Sequence, residues 1–357
     1  MAPNPLPPPS ADVFFEILSW LPLRSLSLSR CVCTSWRVII SNPAFVAVHR
    51  SRAQPLIIAA TDSDDRATMS TLQIMDMEGD IARVLDLCRF WKFRASLDSL
   101  VLFTCRLEYH PRSVRVLDLA TGEVVASSPR ADGEADHDSR LTTRFGFGRA
   151  ARSGALKVIR IVFHVVSSRC SLTCQVLKLG DNGDSRWMAT RPPPDMLGDS
   201  RDGVLVNGVL HFLSICMGDV LSFDLESEEW KTIHGPLRDV GPWEKIGLAE
   251  LNGVLCITLA KKHTVNLWLL TDVNKNEWVE AYTVSVDGVV DFLPLRVMRP
   301  AGKLLFYHRR DYRSAAGLHV YDPRSGECTF VKKVQTGIVA RIGLCSSCLD
   351  PRLRGQP

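Results

Sequence analysis

No stretch of this chain is long and apolar enough to span a bilayer. The most apolar run, LKVIRIVFHVV at 156–166, carries Lys157, Arg160 and His164 and falls well short of the roughly 20 residues a spanning helix needs. No secretory leader opens the chain, and its 11 cysteines are odd in number and thinly spread. They read as free thiols of a reducing compartment rather than as a disulfide framework, so an intracellular protein is expected, in the nucleus, the cytoplasm or both. Blocks of one charge are missing too. The net charge of +4 comes from 43 basic and 39 acidic residues that are interspersed, which argues against a dedicated nucleic-acid surface. There is no G-x-S-x-G, H-E-x-x-H or P-loop, the patterns that position a nucleophile, a zinc ion or a nucleotide phosphate.

What the chain does contain changes character near residue 50. With 357 residues, 46% of them hydrophobic, it can hold one small domain and one large one. Residues 1–8 are Pro-rich and read as an extended tail. Residues 9–50, PSADVFFEILSWLPLRSLSLSRCVCTSWRVIISNPAFVAVHR, read as three short helices. Ser10 suits an N-cap and Asp12 the first turn. Val13, Ile17 and Leu21 recur at i, i+4 and i+8 beside Phe14 and Leu18, giving one apolar face. Pro22 ends that helix and suits the start of the next. Leu26, Val32, Trp36 and Ile39 or Ile40 form the stripe of the second segment, and Asn42-Pro43 opens a third through Phe45 and Val48. Three helices this short cannot bury all that apolar surface among themselves, so part of it is expected to face a partner or the rest of the chain.

This unit resembles the F-box. The matching residues are Asp12-Val13, Glu16-Ile17-Leu18, Leu21-Pro22, Ser25-Leu26, Arg30-Cys31-Val32-Cys33, Ser35-Trp36 and Ser41-Asn42-Pro43-Ala44-Phe45. Two positions depart from the family pattern: Pro9-Ser10 stands where Leu-Pro usually opens the motif, and Trp20 precedes Leu21 where a basic residue is common.

From Pro55 to the end, short apolar runs alternate with turn dipeptides, the mark of an all-β sandwich, barrel or propeller. An internal repeat narrows the choice. VRVLDLATGE, VLSFDLESEE, LWLLTDVNKNE and LHVYDPRSGE each place a Glu five residues after an Asp: Asp118/Glu123, Asp224/Glu229, Asp272/Glu277 and Asp322/Glu327. The last two steps are 48 and 50 residues (272 − 224, 322 − 272). CQVLKLGDNGDSRW at 174–187 fills the longer gap as a divergent copy, and LQIMDMEGD at 72–80 is the first. The Asp carboxylate can accept turn amides, and Gly122 or Gly326 can supply a positive φ. Trp230 and Trp278 follow two of the turns at the same offset, and Asn-Gly hairpins precede them in VLVNGVLHFL and AELNGVLCITL. About four strands per repeat and six or so repeats predict a β-propeller, closed by a strand at 55–60 lying against one at 337–345. The fold class expected is α+β in two domains: a small three-helix F-box, then an all-β propeller over 51–345 with a tail at 346–357.

The second part resembles the kelch-like F-box-associated domain of plant F-box proteins. The resemblance rests on FGFGRAARSGALKVIRIVFH at 145–164, VNGVLHFLS with VLSFDLESEEW, LNGVLCI with VNLWLLTDVNKNEWVEAYTV, and LLFYH with LHVYDPRSGE. Together the two resemblances imply a substrate receptor of a Skp-cullin-F-box ubiquitin ligase. The F-box would dock on a Skp-type adaptor, and through it a cullin, while the β-domain holds a target protein of unknown identity. Catalysis would be positional, by tethering target lysines near the charged ubiquitin-conjugating enzyme. The adaptor contact is expected at Pro9, Val13, Ile17, Leu18, Leu21, Pro22 and Leu26, with Val32 and Trp36 as core residues behind it.

Other candidate chemistry is thin. GFGRAARSG at 146–154 imitates a dinucleotide fingerprint, but a strand follows it where that motif requires a helix, so it reads as a glycine-permitted turn. Cys345 and Cys348 form a CxxC without a second ligand pair. Cys170 and Cys174 share one face of a strand, and Cys31 and Cys33 read as packing residues. His110, His211, His234, His263, His308 and His319 are isolated from one another in sequence. No enzyme, cofactor or metal is expected. The loops at 130–140 and 191–203 read as surface insertions, with recognition as their alternative role. Two further classes stay open: an F-box scaffold acting outside the ligase, and a propeller enzyme.

Overall fold

The computed structural model describes residues 10–345 except 22, 43, 46–47, 50–54, 63–69, 88–90, 106–112, 120, 129–141, 167–168, 181–185, 199–200, 216–217, 238–239, 242–243, 299, 312–315 and 335–337. Ser10 is the N-cap of α1 (Ala11–Leu18), its hydroxyl accepting the Val13 amide at 3.4 Å. The second helical segment is not continuous. It forms α2 (Leu23–Ser29) and α3 (Thr34–Ser41), split by a turn. The Ser29 hydroxyl bonds back to the Ser25 carbonyl at 2.8 Å, and Cys33 takes an extended conformation whose sulfur accepts the Trp36 amide. No glycine or proline marks that break, so the apolar period runs across it unchanged. Where the third helix was expected, Ala44–Phe45 and Val48–His49 are helical, and Pro43, Val46 and Ala47 lie outside the described residues. Leu18, Leu26, Ile40 and Phe45 form the interior, flanked by Phe14, Phe15, Leu21, Trp36 and Ile39. Phe15 meets Phe45 edge-on with ring centres 5.1 Å apart.

The rest is six four-stranded antiparallel sheets arranged as a propeller. Blade 1 holds β1 (Leu56–Asp62), β2 (Ser70–Met75) and β3 (Ile81–Leu87). Blade 2 holds β4 (Trp91–Leu97), β5 (Leu100–Cys105), β6 (Val114–Asp118) and β7 (Val124–Ser127). Blade 3 is β8 (Thr142–Arg149), β9 (Leu156–Val166), β10 (Arg169–Leu179) and β11 (Trp187–Thr190). Blade 4 is β12 (Val204–Val206), β13 (Val209–Leu213), β14 (Val220–Asp224) and β15 (Trp230–Ile233). Blade 5 is β16 (Lys245–Leu251), β17 (Val254–Ala260), β18 (Thr264–Asp272) and β19 (Glu277–Ser285). Blade 6 is β20 (Asp291–Met298), β21 (Lys303–Arg309), β22 (Gly317–Asp322) and β23 (Glu327–Lys333). The last strand, β24 (Ile338–Cys345), returns to pair with β1, with Leu56 opposite Cys345 and Ile58 opposite Gly343. The predicted closure is therefore observed, and blade 1 is built from both ends of the domain.

Each contact between neighbouring blades has its own apolar cluster. Ile57 and Met75 of blade 1 pack on Leu305 and Leu318 of blade 6, and Ile58 and Ile74 pack on Phe93 and Phe103 of blade 2. Ile57 and Ile58 are fully buried, which stabilises the fold by about 2 kcal/mol for each side chain. The repeated Asp sits at the turn into the outermost strand. Asp76, Asp224, Asp272 and Asp322 each accept backbone amides two to four residues on, at 2.7–3.1 Å. The positive φ is supplied by Gly122, Glu228, Asn276 and Gly326. LQIMDMEGD is the blade 1 copy. The divergent copy is the link from β10 to β11, of which residues 181–185 lie outside the described residues.

Candidate functional site

On the helical unit, burial separates residues that the sequence pattern groups together. Val13 and Ile17 are 45% and 56% exposed on α1. Leu18 and Leu26, expected in the same contact, are 1% and 6% exposed and belong to the interior. Leu21 is half-buried against that interior, and its carbonyl accepts a hydrogen bond from the His49 ring Nε2 at 2.9 Å. Pro9 and Pro22 lie outside the described residues. Val32, expected in the core, is 64% exposed because it falls in the turn between α2 and α3. Trp36 is half-buried, with its ring 5.5 Å from that of Phe14. Trp20 stands exposed and donates its indole N–H to Glu16 at 3.2 Å. Leu28 and Val38 add further exposed apolar area. Cys31 and Cys33 are exposed rather than packed, since Cys33 serves as the cap of α3.

On the propeller, several signals resolve into blade-to-blade bonds. Trp230 and Trp278 donate their indole N–H groups to the carbonyls of Arg191 and His234, each just past the outer strand of the preceding blade, both at 2.9 Å. Asn207 and Asn252 take positive φ in their hairpins and reach the following blade at Gly253 and Val297. In GFGRAARSG only Gly154 is a turn glycine. Gly146 and Gly148 lie within β8, where a Cβ would come within 2.7 Å of Leu210 and 2.5 Å of Leu205, so they allow blade 4 to approach. The turn does hold an anion, but one from the chain itself. Glu226 accepts the amides of Arg152 and Ser153, both at 3.0 Å. Those amides, Ser153 first, keep its carboxyl below the ordinary range. Buried Lys157 beside it donates to the Leu225 carbonyl at 2.6 Å and to Glu228 at 2.7 Å.

Among the described residues, which leave out His110, the histidines and cysteines do not converge on one site. His211 and Ser222 share a 2.8 Å hydrogen bond but are both buried, so the pair satisfies itself rather than meeting a substrate. His308 and His319 meet on the consecutive strands β21 and β22 with ring centres 5.5 Å apart. Burial pushes the Cys174 and Cys256 thiols up to about 12. Cys345 is buried between blades 1 and 2, while Cys348 lies outside the described residues. Among the described residues, no group of three or more His, Cys, Asp or Glu is placed to hold a metal ion.

The inner strands β4, β12, β16, β20 and β24 surround a central channel of about 400 Å³. Ser96 ties two of its walls together by donating to the Leu344 carbonyl at 2.7 Å. The loop at 191–203 delivers two charges to it. Asp202 accepts the Phe145 amide at 2.9 Å and pairs with Arg94 at 3.4 Å, and Arg201 pairs with Asp291 of β20. The end of a segment that reads as a surface insertion is thus part of the channel wall. Tyr307, on β21, also lines it. Nothing in the sequence singles out Arg201, Asp202 or Tyr307, because only blade closure brings them together.

Residues 10–47 match the F-box domain, and residues 124–341 match the F-box associated beta propeller domain. An F-box/kelch-repeat protein of Arabidopsis thaliana is 25% identical over 332 residues, covering 86% of this chain and 77% of the relative. A second F-box/kelch-repeat protein of the same plant is 22% identical over 362 residues, covering 91% and 90%. Among solved structures, a periplasmic gluconolactonase of Pseudomonas aeruginosa is 12% identical with a TM-score of 0.43, covering 81% of this chain and 98% of that one; a likeness at that level bears on neither activity nor substrate. With an F-box at its N-terminal end and six closed blades after it, the chain belongs to the plant F-box proteins that carry an F-box associated beta propeller domain.

Proposed function

We propose that this protein is the substrate-recognition subunit of a Skp-cullin-F-box ubiquitin ligase. In this reading the helical unit docks on a Skp-type adaptor in the nucleus or cytoplasm, and the propeller holds a target protein. The observation that carries it is the division of the F-box surface. Its interior is already filled by Leu18, Leu26, Ile40 and Phe45, yet Val13, Ile17 and Trp20 remain exposed around the same helix. Apolar side chains left outside a completed core are available to a partner. The protein's own contribution is positional, since holding a target near a conjugating enzyme raises the effective concentration of its lysines.

The test is capture of a Skp-type adaptor by the full chain and by Ile17→Asp. The wild type is expected to retain the adaptor and the variant to lose it, with melting of the chain unchanged. Equal capture by both would remove α1 from the contact, and no capture by either would reject the receptor reading.

A further inference from the structure

His308 and His319 stand side by side on the face that blade 6 turns toward blade 5, beside Phe306 of the cluster between those blades. Phe306 lies opposite His319, and Gly317 lies opposite His308, so the two histidines project from the same side of the sheet as diagonal neighbours. Their ring centres are 5.5 Å apart and their planes meet at 71°. A metal–nitrogen bond of about 2.0–2.1 Å puts an imidazole centre about 3.2 Å from the ion, and two such rings at the tetrahedral angle have centres about 5.2 Å apart. The observed spacing is within about 0.3 Å of that.

Hydrogen bonding leaves nitrogen lone pairs on both rings. The His308 ring donates from Nε2 to the Gly288 carbonyl at 2.7 Å, which leaves Nδ1 as an acceptor. Metal-binding histidines are commonly oriented by a carbonyl in this way. Among the described residues no hydrogen bond reaches the His319 ring. Its plane is fixed instead by stacking on Phe306 and by the edge of Phe330, with centres 5.4 Å away in each case. Phe330 in turn folds over Gly317, where a Cβ would come within 2.6 Å of its ring.

The surroundings select the ligand. Burial is the main cause that holds both histidines below the ordinary imidazole pKa, so both rings are neutral at pH 7, the form that binds metal. Arg310, the cation acting on His308, pairs with Asp287 and Asp311, each at 3.3 Å, so its charge is offset. Imidazole suits zinc, nickel and copper(II), whereas magnesium and calcium take oxygen ligands. We propose that His308 and His319 form a two-imidazole site for a divalent transition-metal ion at the junction of blades 5 and 6. Among the described residues no group of three His, Cys, Asp or Glu forms around them. The ion therefore keeps positions open to water or to a side chain of a bound protein.

The experiment is calorimetric titration of the full chain, stripped of metal with EDTA, with Cu²⁺, Ni²⁺ and Zn²⁺. Cu²⁺ is expected to bind most tightly, and its electron paramagnetic resonance spectrum should show coupling to two ring nitrogens. His319→Phe keeps a ring on Phe306 but removes the nitrogens. It should weaken binding at least about 10-fold and leave the melting temperature of the metal-free chain unchanged. His263→Ala, in the exposed turn before β18, should bind as the wild type does. No ion bound at about 1 mM, undiminished binding in His319→Phe, or an equal loss in His263→Ala would each overturn the proposal. Adaptor capture plays no part in these readings, so the metal and receptor proposals fail separately.

Discussion

Ile17 and Leu18 are adjacent on α1, yet one faces out and the other is sealed in the helical core. A carboxylate at Leu18 would be buried without a partner, so Leu18→Asp is expected to cost more than about 3 kcal/mol and to unfold the helical unit. Ile17→Asp should change stability by no more than about 0.5 kcal/mol. Proteolysis of residues 10–49 separates the two outcomes, and it shows that loss of adaptor capture in Leu18→Asp would report unfolding rather than a lost contact. Acid sensitivity is also set by single residues. Burial lowers the His211 pKa from 6.5 to about 4, so the unfolded chain binds more protons between those values. Stability contributed by neutral His211 is complete above pH 6.5 and declines as the pH falls toward 4, by up to about 3 kcal/mol. His308 and His319, also lowered chiefly by burial, add in the same direction. Urea titration at stepped pH should show this decline, and His211→Gln should make it shallower.

The two Asn-Gly hairpins show what local sequence conveys. Asn252-Gly253 is legible as a turn because a type I′ hairpin needs positive φ at both positions, and both have it. That the Asn252 side chain also bridges to Val297 through two hydrogen bonds of 2.8 and 3.1 Å depends on which strand lies alongside. Asn252→Gly keeps the turn and loses the bridge, whereas Asn252→Ala loses the bridge and strains the turn. Denaturant midpoints should fall in that order, by about 1 kcal/mol for Gly and about 2 for Ala. Gly146 and Gly148 make the same point from the other side. Their spacing imitates a phosphate loop, but their use is to admit Leu210 and Leu205 of the next blade. The α2–α3 break escaped a reading by period because a sulfur cap, rather than proline or glycine, interrupts the helix.

Over the whole molecule, equal spacing of the Asp turns was enough to predict the repeat, and the apolar runs at both ends of the domain predicted the closing pair. The channel was not legible, because Arg94 comes from blade 2, Arg201 from the loop before blade 4 and Asp291 and Tyr307 from blade 6, and no local pattern relates them. Closure also makes stability a property of the ring. A chain ending before Ile338 would leave Ile57 and Ile58 uncovered along β1. Such a truncation should unfold at a lower urea concentration and over a broader range than the full chain, read by circular dichroism, because the blades would no longer melt together.

The strand that completes blade 1 is synthesised after every other strand of the propeller. Translation delivers residues at about 5–20 per second, so the helical unit emerges before the propeller and β1 waits for β24 while every other blade is made. A message interrupted anywhere in that interval yields a product with the complete F-box and an open ring. If the adaptor reading holds, such products occupy adaptor without presenting a target, and even a late nonsense mutation would act as a competitor of the intact receptor rather than as a simple loss.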